Sequence, residues 1–223
     1  MKAMLLAAGR GERMRPLTDV TPKALLSVGG KPLMVWHLER LRAAGFSEIV
    51  VNLAHLGGQI EAALKDGREF GVNVVYSRED EALETAGGIA FALPLLGNNP
   101  FLVVNADIYC EFDFSRLREV KGLAHLVLVD NPPHHPDGDF SLVGNRVEAK
   151  GDPMLTFGGI GLYHPGLFSG ITRGAKAPLA PLLRQAMAES RVTGERYDGI
   201  WRDVGTPERF HELDSLLLAR ANV

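Results

Sequence analysis

The sequence predicts an α/β fold: a doubly wound, mostly parallel sheet carrying a small inserted β-rich lobe. Three observations lead there. From Ala3 to Asn105, short apolar runs alternate with segments of helical periodicity, the rhythm of βαβ units with helices on both faces of a parallel sheet. From Ala124 to Tyr163 that rhythm gives way to successive strand-like runs with little helix between them. The length, 223 residues with 46% hydrophobic and 23% charged side chains, suits one domain that buries its own core.

Ala3 to Ala7 is a short buried strand. Pro32 to Ala44 reads as a helix, with Leu33, Trp36, Leu38 and Leu41 near helical spacing and Gly45 as its stop. Glu48 to Leu53 is a second strand, Gln59 to Lys65 a second helix and Val72 to Tyr76 a third strand. Gly88 to Leu96 is a helix shortened or kinked by Pro94, and Phe101 to Asn105 is a fourth strand. Ala124 to Val129, Phe140 to Val143, Arg146 to Ala149 and Leu155 to Tyr163 are strands, interrupted by a polar, proline-rich loop from Asp130 to Gly138. Pro178 to Glu189 is an amphipathic helix. Val192 to Tyr197 and Ile200 to Val204 are expected to pair as a hairpin. A final helix runs from Thr206 to Ala221, with Thr206, Pro207 and Glu208 suited to its start. The whole chain, 1–223, is read as one domain, with a core near 1–122 and 190–223 and the lobe near 123–189.

A net charge of −3 gives no general attraction to nucleic acid or to an anionic membrane, and neither is expected as a partner. Cys110 is the single cysteine, so no internal disulfide forms and a reducing compartment fits. No run approaches the ~20 apolar residues of a membrane helix. A soluble, cytoplasmic protein is expected, either a monomer or a small homo-oligomer, with small molecules as substrates.

An anionic substrate on such a chain needs a local cationic site, and Leu5 to Lys23 supplies one. A buried strand runs into a glycine-rich turn whose successive amides can form an anion-binding nest, and Arg10, Arg13, Arg15 and Lys23 add positive charge. The turn lacks the GK[ST] ending of a Walker loop. Met14 stands where a dinucleotide-binding GxGxxG needs its third glycine, which counts against an NAD(P)-dependent oxidoreductase. Two aspartates, Asp107 after Phe101 to Val104 and Asp203 after Ile200 and Trp201, end apolar runs. Two carboxylates suit Mg²⁺, which completes its shell with phosphate oxygens and water. By spacing alone, each of them reads as a turn or cap residue.

Leu6-Ala7-Ala8-Gly9, Gly11, Arg13-Met14, Pro16-Leu17-Thr18 and Pro22-Lys23 resemble the LAAGxGxRMxPLTxxxPK signature of the sugar-1-phosphate nucleotidyltransferases. The resemblance continues in Lys31-Pro32-Leu33, in Glu84-Thr85-Ala86-Gly87-Gly88 as a second glycine turn, in Asn105-Ala106-Asp107 and in Trp201-Arg202-Asp203-Val204-Gly205-Thr206-Pro207. It implies a Rossmann-like nucleotidyltransferase core with a sugar-binding lobe. It implies catalytic roles for Arg13, Lys23, Asp107 and Asp203, with Mg²⁺ as cofactor on Asp107 and Asp203. The nucleotide would lie along Leu6, Ala8, Gly9, Gly11, Glu12, Arg13, Lys23, Glu79, Asp80 and Gly87, and the sugar against Asn105 and Asp139. A non-catalytic regulatory relative would be expected to lack Lys23 or a metal aspartate.

For the substrate, the segment from His125 to Asp130, His134-His135 and Gly138-Asp139-Phe140 most resemble bacterial N-acetylmuramate-1-phosphate uridylyltransferases of cell-wall recycling, which implies UTP and N-acetylmuramate 1-phosphate. Mannose-1-phosphate guanylyl transfer and glucose-1-phosphate thymidylyl transfer stay open as alternatives. Many family members carry Glu-Lys-Pro before the last strands of the lobe. Here Glu148-Ala149-Lys150-Gly151-Asp152-Pro153 stands instead, so a sugar-phosphate contact does not carry over directly to Lys150. Arg173 or Lys176 is expected near the lactyl carboxylate. His134 and His135 are read as solvated loop residues and not as zinc ligands.

Overall fold

The computed structural model describes residues 1–221. The chain begins in β1 (Ala3–Leu6), passes a short helix α1 (Leu17–Val20) and a small ribbon of β2 (Ser27–Val28) and β3 (Lys31–Pro32), and enters α2 (Leu33–Ala43). Then follow β4 (Glu48–Leu53), α3 (Gly57–Leu64), β5 (Asn73–Arg78), α4 (Glu84–Leu96), β6 (Phe101–Asn105) and β7 (Ile108–Cys110). The remainder is β8 (Ala124–Val129), β9 (Phe140–Val143), β10 (Arg146–Glu148), β11 (Met154–Tyr163), α5 (Leu179–Ala188), β12 (Val192–Tyr197), β13 (Trp201–Asp203) and α6 (Pro207–Ala221).

Side chains along a strand alternate between faces, and that alternation builds three layers. Ala3 and Leu5 of β1, Ile49 and Val51 of β4, and Leu102 and Val104 of β6 enter the layer covered by α2 and α3. Met4, Val50, Phe101 and Val103 enter the opposite layer, covered by α4 and α5. Each such Val, Leu, Ile, Met or Phe side chain, fully withdrawn from water, contributes about 1.5–3 kcal/mol of transfer free energy. A third cluster, including Met14, Val28, Tyr109, Val204 and Leu213, seats α6 against the β2–β3 ribbon. No helix among the described residues is long and apolar enough to cross a membrane.

Nine strands form one sheet in the order β5-β4-β1-β6-β11-β8-β12-β10-β9. The pairings from β5 through β6 are all parallel. Beyond β6 the sheet is mixed: β11 runs antiparallel to β6 and β8, while β12 runs parallel to β8. From β1 the chain winds outward through β4 and β5 with α2 and α3 on one face. It then returns by α4 on the other face to β6, on the opposite side of β1. The reversal creates a crevice beyond the C-terminal ends of β1 and β6, where open α/β sheets bind ligands.

Two sequence expectations are corrected here. Val192 to Tyr197 and Ile200 to Val204 do not form a hairpin. β12 lies along the fully buried β8, and β13 leaves the main sheet to pair with β7, Trp201 opposite Cys110 and Asp203 opposite Ile108. Tertiary burial of β8, which needs a partner on its outer side, overrides the local turn signal. Second, Glu84-Thr85-Ala86-Gly87-Gly88 is the opening of α4 and not a loop. Its glycines serve close packing: a Cβ at Gly87 would collide with the Ala175 carbonyl, and one at Gly88 would stand 2.8 Å from Glu79 Oε1.

His37 of α2 fixes the strand that follows Asp107. Its ring is fully buried, and Nε2 donates to the Ile108 carbonyl at 2.7 Å. Burial lowers its pKa to about 4, partly opposed by that hydrogen bond. A depressed histidine pKa means that stability is fully present above the unfolded value near 6.5 and is lost as pH falls toward the folded one. Urea unfolding should therefore show a loss approaching 3 kcal/mol, roughly, between pH 6.5 and 4 from this group. His37→Gln should flatten that part of the stability curve; an unchanged pH dependence in the variant would contradict the assignment.

Candidate active site

Residues 7–11 leave the end of β1, and the first amide is held from below. Ala7 N–H donates to Asn52 Oδ1 at 2.8 Å, and Asn52 Nδ2 donates to Glu79 Oε1 at 2.7 Å. Glu79 Oε2 in turn accepts from Leu83 N–H at 3.0 Å. One chain of hydrogen bonds thus links the ends of β1, β4 and β5 to the start of α4. Burial pushes the Glu79 carboxyl above its usual range, and the bonds from Asn52 and Leu83 act in the opposite direction. At the far end of the turn, Thr18 Oγ1 donates to the Gly11 carbonyl at 2.8 Å, and His55 Nε2 and Gln59 Nε2 hold the Thr18 and Val20 carbonyls at 3.1 and 2.9 Å. Among the described residues, none accepts a hydrogen bond from the amides of Ala8, Gly9 and Arg10. Successive free amides at a glycine turn form a phosphate-binding concavity.

Opposite the turn, Asn105-Ala106-Asp107 closes β6. Leu6 pairs with Asn105, and Ala106 N–H donates to the Leu6 carbonyl at 3.1 Å. A cleft of about 230 Å³ results, lined by Leu6, Ala8, Gly9, Gly11, Lys23, Asn52, Glu79, Glu84, Thr85, Asn105 and Asp107. Lys23 Nζ lies 2.7 Å from Asp107 Oδ2, with the lysine side chain 11% exposed and the aspartate 45%. The cation is therefore withdrawn from water and the carboxylate opens to the cleft.

Asp203 reaches the same end of the molecule through the β7–β13 ladder: Val204 N–H donates to the Asp107 carbonyl at 2.9 Å. Its carboxylate takes Arg209 Nη1 at 2.8 and 2.6 Å, and His134 Nε2 lies 3.0 Å from Oδ1. Among the described residues no group of three or more His, Cys, Asp or Glu gathers to hold a metal. Asp203 lines a separate cavity with His134 and Arg209, so of the two carboxylates only that of Asp107 faces the first cleft; either is of the type an ion takes beside phosphate oxygens and water.

Three comparisons bear on this geometry. The family model described as nucleotidyl transferase matches residues 2–143. The chain is 57% identical to the N-acetylmuramate alpha-1-phosphate uridylyltransferase of Neisseria meningitidis, over 97% of this chain and 98% of that one. It is 31% identical to the mannose-1-phosphate guanyltransferase of Aspergillus fumigatus, over 94% of this chain and 62% of the relative. The chain belongs to the nucleotidyl transferase family. Its fold matches that of a Bacillus anthracis protein solved with sucrose as a candidate glucose-1-phosphate thymidylyltransferase, with a TM-score of 0.88, 23% identity, and 98% and 95% of the two chains covered.

In this nucleotidyltransferase a second cleft, about 490 Å³, adjoins the first and shares Glu84, Thr85 and Asn105 with it. Asp139, Phe140, Phe157, Pro178, Leu179, Ala180 and Leu183 complete its wall. Asn105 has room there because β11 bulges at Gly158 and Gly159, where the pairing register with β8 shifts. Gly159 sits at φ +70°, and a Cβ would stand 2.8 Å from Asn105 Nδ2. Trp201 Nε1 donates to the Gly158 carbonyl at 2.8 Å and fixes the bulge from the other side.

The remaining sequence candidates fall elsewhere. Glu12 and Arg13 are exposed on the turn just after Gly11, at the rim. Asp80 is exposed beyond Glu79, and Gly87 is buried in α4 with its amide on the Ala177 carbonyl. Asp139 Oδ2 accepts from Phe157 N–H at 2.8 Å and Oδ1 lies 3.2 Å from His135 Nε2, so its carboxylate also braces the start of β11. Arg173 lies over the Phe91 ring at 4.5 Å and Lys176 pairs with Glu81 at 2.7 Å, and neither they nor Lys150 line the second cleft. His134 is not a free loop residue, since it meets Asp203 and Arg209. Cys110 is fully buried, and burial raises its pKa to about 11. It stays a protonated thiol near neutral pH and is no nucleophile.

Sequence reasoning passed over Asn52, Arg209 and the role of His134. Asn52 left a signal, a polar residue inside the apolar run Ile49 to Leu53. Asn52→Ala leaves the Ala7 amide and the buried Glu79 carboxyl short of partners, a cost of about 1–3 kcal/mol. Denaturant unfolding should show that loss, and the variant's KM for the nucleotide should rise because the turn loses its brace. An unchanged KM would mean the turn is held without Asn52.

Proposed function

We propose that this nucleotidyltransferase transfers uridylyl from UTP to N-acetylmuramate 1-phosphate, releasing pyrophosphate and forming UDP-N-acetylmuramate. The observation that carries the reading is the 57% identity to a uridylyltransferase of that specificity across nearly the whole of both chains, against 31% to a guanyltransferase of which the chain spans 62%. The cleft's chemistry agrees with it. A sugar phosphate is already ionised near neutral pH, so its oxygen attacks without a general base. A bond forms from that oxygen to the α-phosphorus of UTP, and the bond from the α-phosphorus to the bridging oxygen breaks, its electron pair leaving with pyrophosphate.

The protein's part is positioning and charge neutralisation. The free amides of Ala8, Gly9 and Arg10, with Arg13 at the rim, would hold the triphosphate. Lys23 Nζ, kept in place by Asp107, would lie between the reacting phosphates. Mg²⁺ held by Asp107 and Asp203 would supply further neutralisation of the α-phosphate. The adjoining cleft would take the sugar. There the uncapped start of α5 (Leu179 and Ala180 on the wall, no side-chain cap) offers amides of the sign that suits the lactyl carboxylate. A nucleoside triphosphate as substrate puts the reaction in the cytoplasm, and a UDP-linked cell-wall sugar as product suits recycling of cell-wall material.

Pyrophosphate release from four nucleoside triphosphates, each with N-acetylmuramate, N-acetylglucosamine, glucose and mannose 1-phosphates, tests the reading. UTP with N-acetylmuramate 1-phosphate should give the highest kcat/KM by at least about tenfold, ~1.4 kcal/mol in the transition state. GTP with mannose 1-phosphate in first place would overturn it. In the same assay Asp107→Ala and Asp203→Ala should each lose at least about a hundredfold in Mg²⁺-dependent turnover, and near-normal rates in both would remove the carboxylates from the site.

A further inference from the structure

Glu84, the first residue of α4, has a φ of +61°. That left-handed conformation favours glycine, and a long side chain rarely occupies it. Its neighbours in sequence have clear partners: Glu79 is bonded to Asn52 and the Leu83 amide, and Glu81 is paired with Lys176. The Glu84 carboxylate meets no hydrogen-bond donor or cation among the described residues. Glu84 lines both the cleft beneath the glycine turn and the cleft beside Asn105 and Asp139, and only Thr85 and Asn105 share that position.

Glu84 is exposed, so the want of a protein partner is ordinary, but a left-handed backbone at so long a side chain is not, and such outliers concentrate where a ligand is handled. Its charge also restricts the ligand group. A carboxylate repels the phosphates, so at the junction of the clefts, with no cation on it, it suits neutral donors. We propose that Glu84 accepts hydrogen bonds from hydroxyl or acetamido N–H groups of the sugar 1-phosphate, and so selects and orients the sugar for attack. The inference rests on the sugar-1-phosphate reading above and adds a specificity-determining residue to it.

The test uses the full chain as wild type, Glu84→Gly and Glu84→Ala. Glycine removes the carboxylate and relieves the backbone, while alanine removes the carboxylate and keeps the strained backbone. Both variants should lose at least about tenfold in kcat/KM for the sugar phosphate, with KM for UTP within about twofold of wild type. Glu84→Gly alone should gain thermal stability, on the order of 2 °C in Tm. Sugar kinetics in Glu84→Ala within twofold of wild type would overturn the proposal, and so would a loss confined to KM for UTP. The sugar 1-phosphate used is the one wild type turns over best. A different best sugar would therefore defeat the substrate assignment while Glu84 is still decided on its own variants.

Discussion

Everything that meets in the cleft is carried there by the parallel pairing of β1 with β6, which sets Leu6 beside Asn105. β1 ends in the glycine turn and β6 ends two residues before Asp107, so one register aligns that turn with a carboxylate that comes from about a hundred residues further along the chain. The register is firm because the strands are buried on both faces, and a slip by one residue would exchange the two core layers. The return of the chain through α4 leaves the gap beyond these strand ends open. Asn52 and Glu79 then tie β4 and β5 into the same rim, with hydrogen bonds of 2.7 to 3.0 Å.

Charge is balanced within the site before any substrate arrives. Lys23 is largely buried against Asp107, and the Asp203 carboxylate is paired with Arg209 and lies beside His134. Pairs such as Lys65 with Glu69, both well exposed, contribute little. Removing one member of a partly buried pair costs more, because the other is left uncompensated. A triphosphate entering the proposed site would compete for Lys23, and the freed Asp107 carboxylate would then be available to a cation. These ion pairs thus hold the proposed catalytic groups in order.

Much of this was legible in the sequence, for reasons that differ element by element. β4, β6, β8 and β9 match their expected spans because each is a short, mostly apolar run bounded by turn residues. That the glycine turn, Lys23 and Asp107 line one cleft agrees with the expectation drawn from a glycine-rich turn, basic residues and a strand-end aspartate. β13 was not, since the Asp198-Gly199 bend looks like a hairpin turn and only the Asp203–Ile108 register shows that the strand leaves the main sheet. His134 looked solvated because its partners, Asp203 and Arg209, come from a segment nearly seventy residues away or more. Arg173 and Lys176 carry positive charge just before a helix, but Phe91 and Glu81 hold them. Glu84 gave no local sign, because a positive φ at a glutamate is a property of the folded chain.

The proposed chemistry needs no covalent intermediate. The single thiol is buried and protonated, and the groups around the glycine turn are amides, cations and carboxylates that hold charge in place. A single in-line displacement at the α-phosphorus is what such a site supports, and it leaves a stereochemical record. The most direct measurement uses UTP with sulfur in one configuration at the α-phosphorus and follows the configuration of the nucleotide sugar formed. Direct attack by the sugar phosphate predicts inversion at phosphorus. Retention, the mark of two successive displacements through a nucleotidylated enzyme, would contradict it.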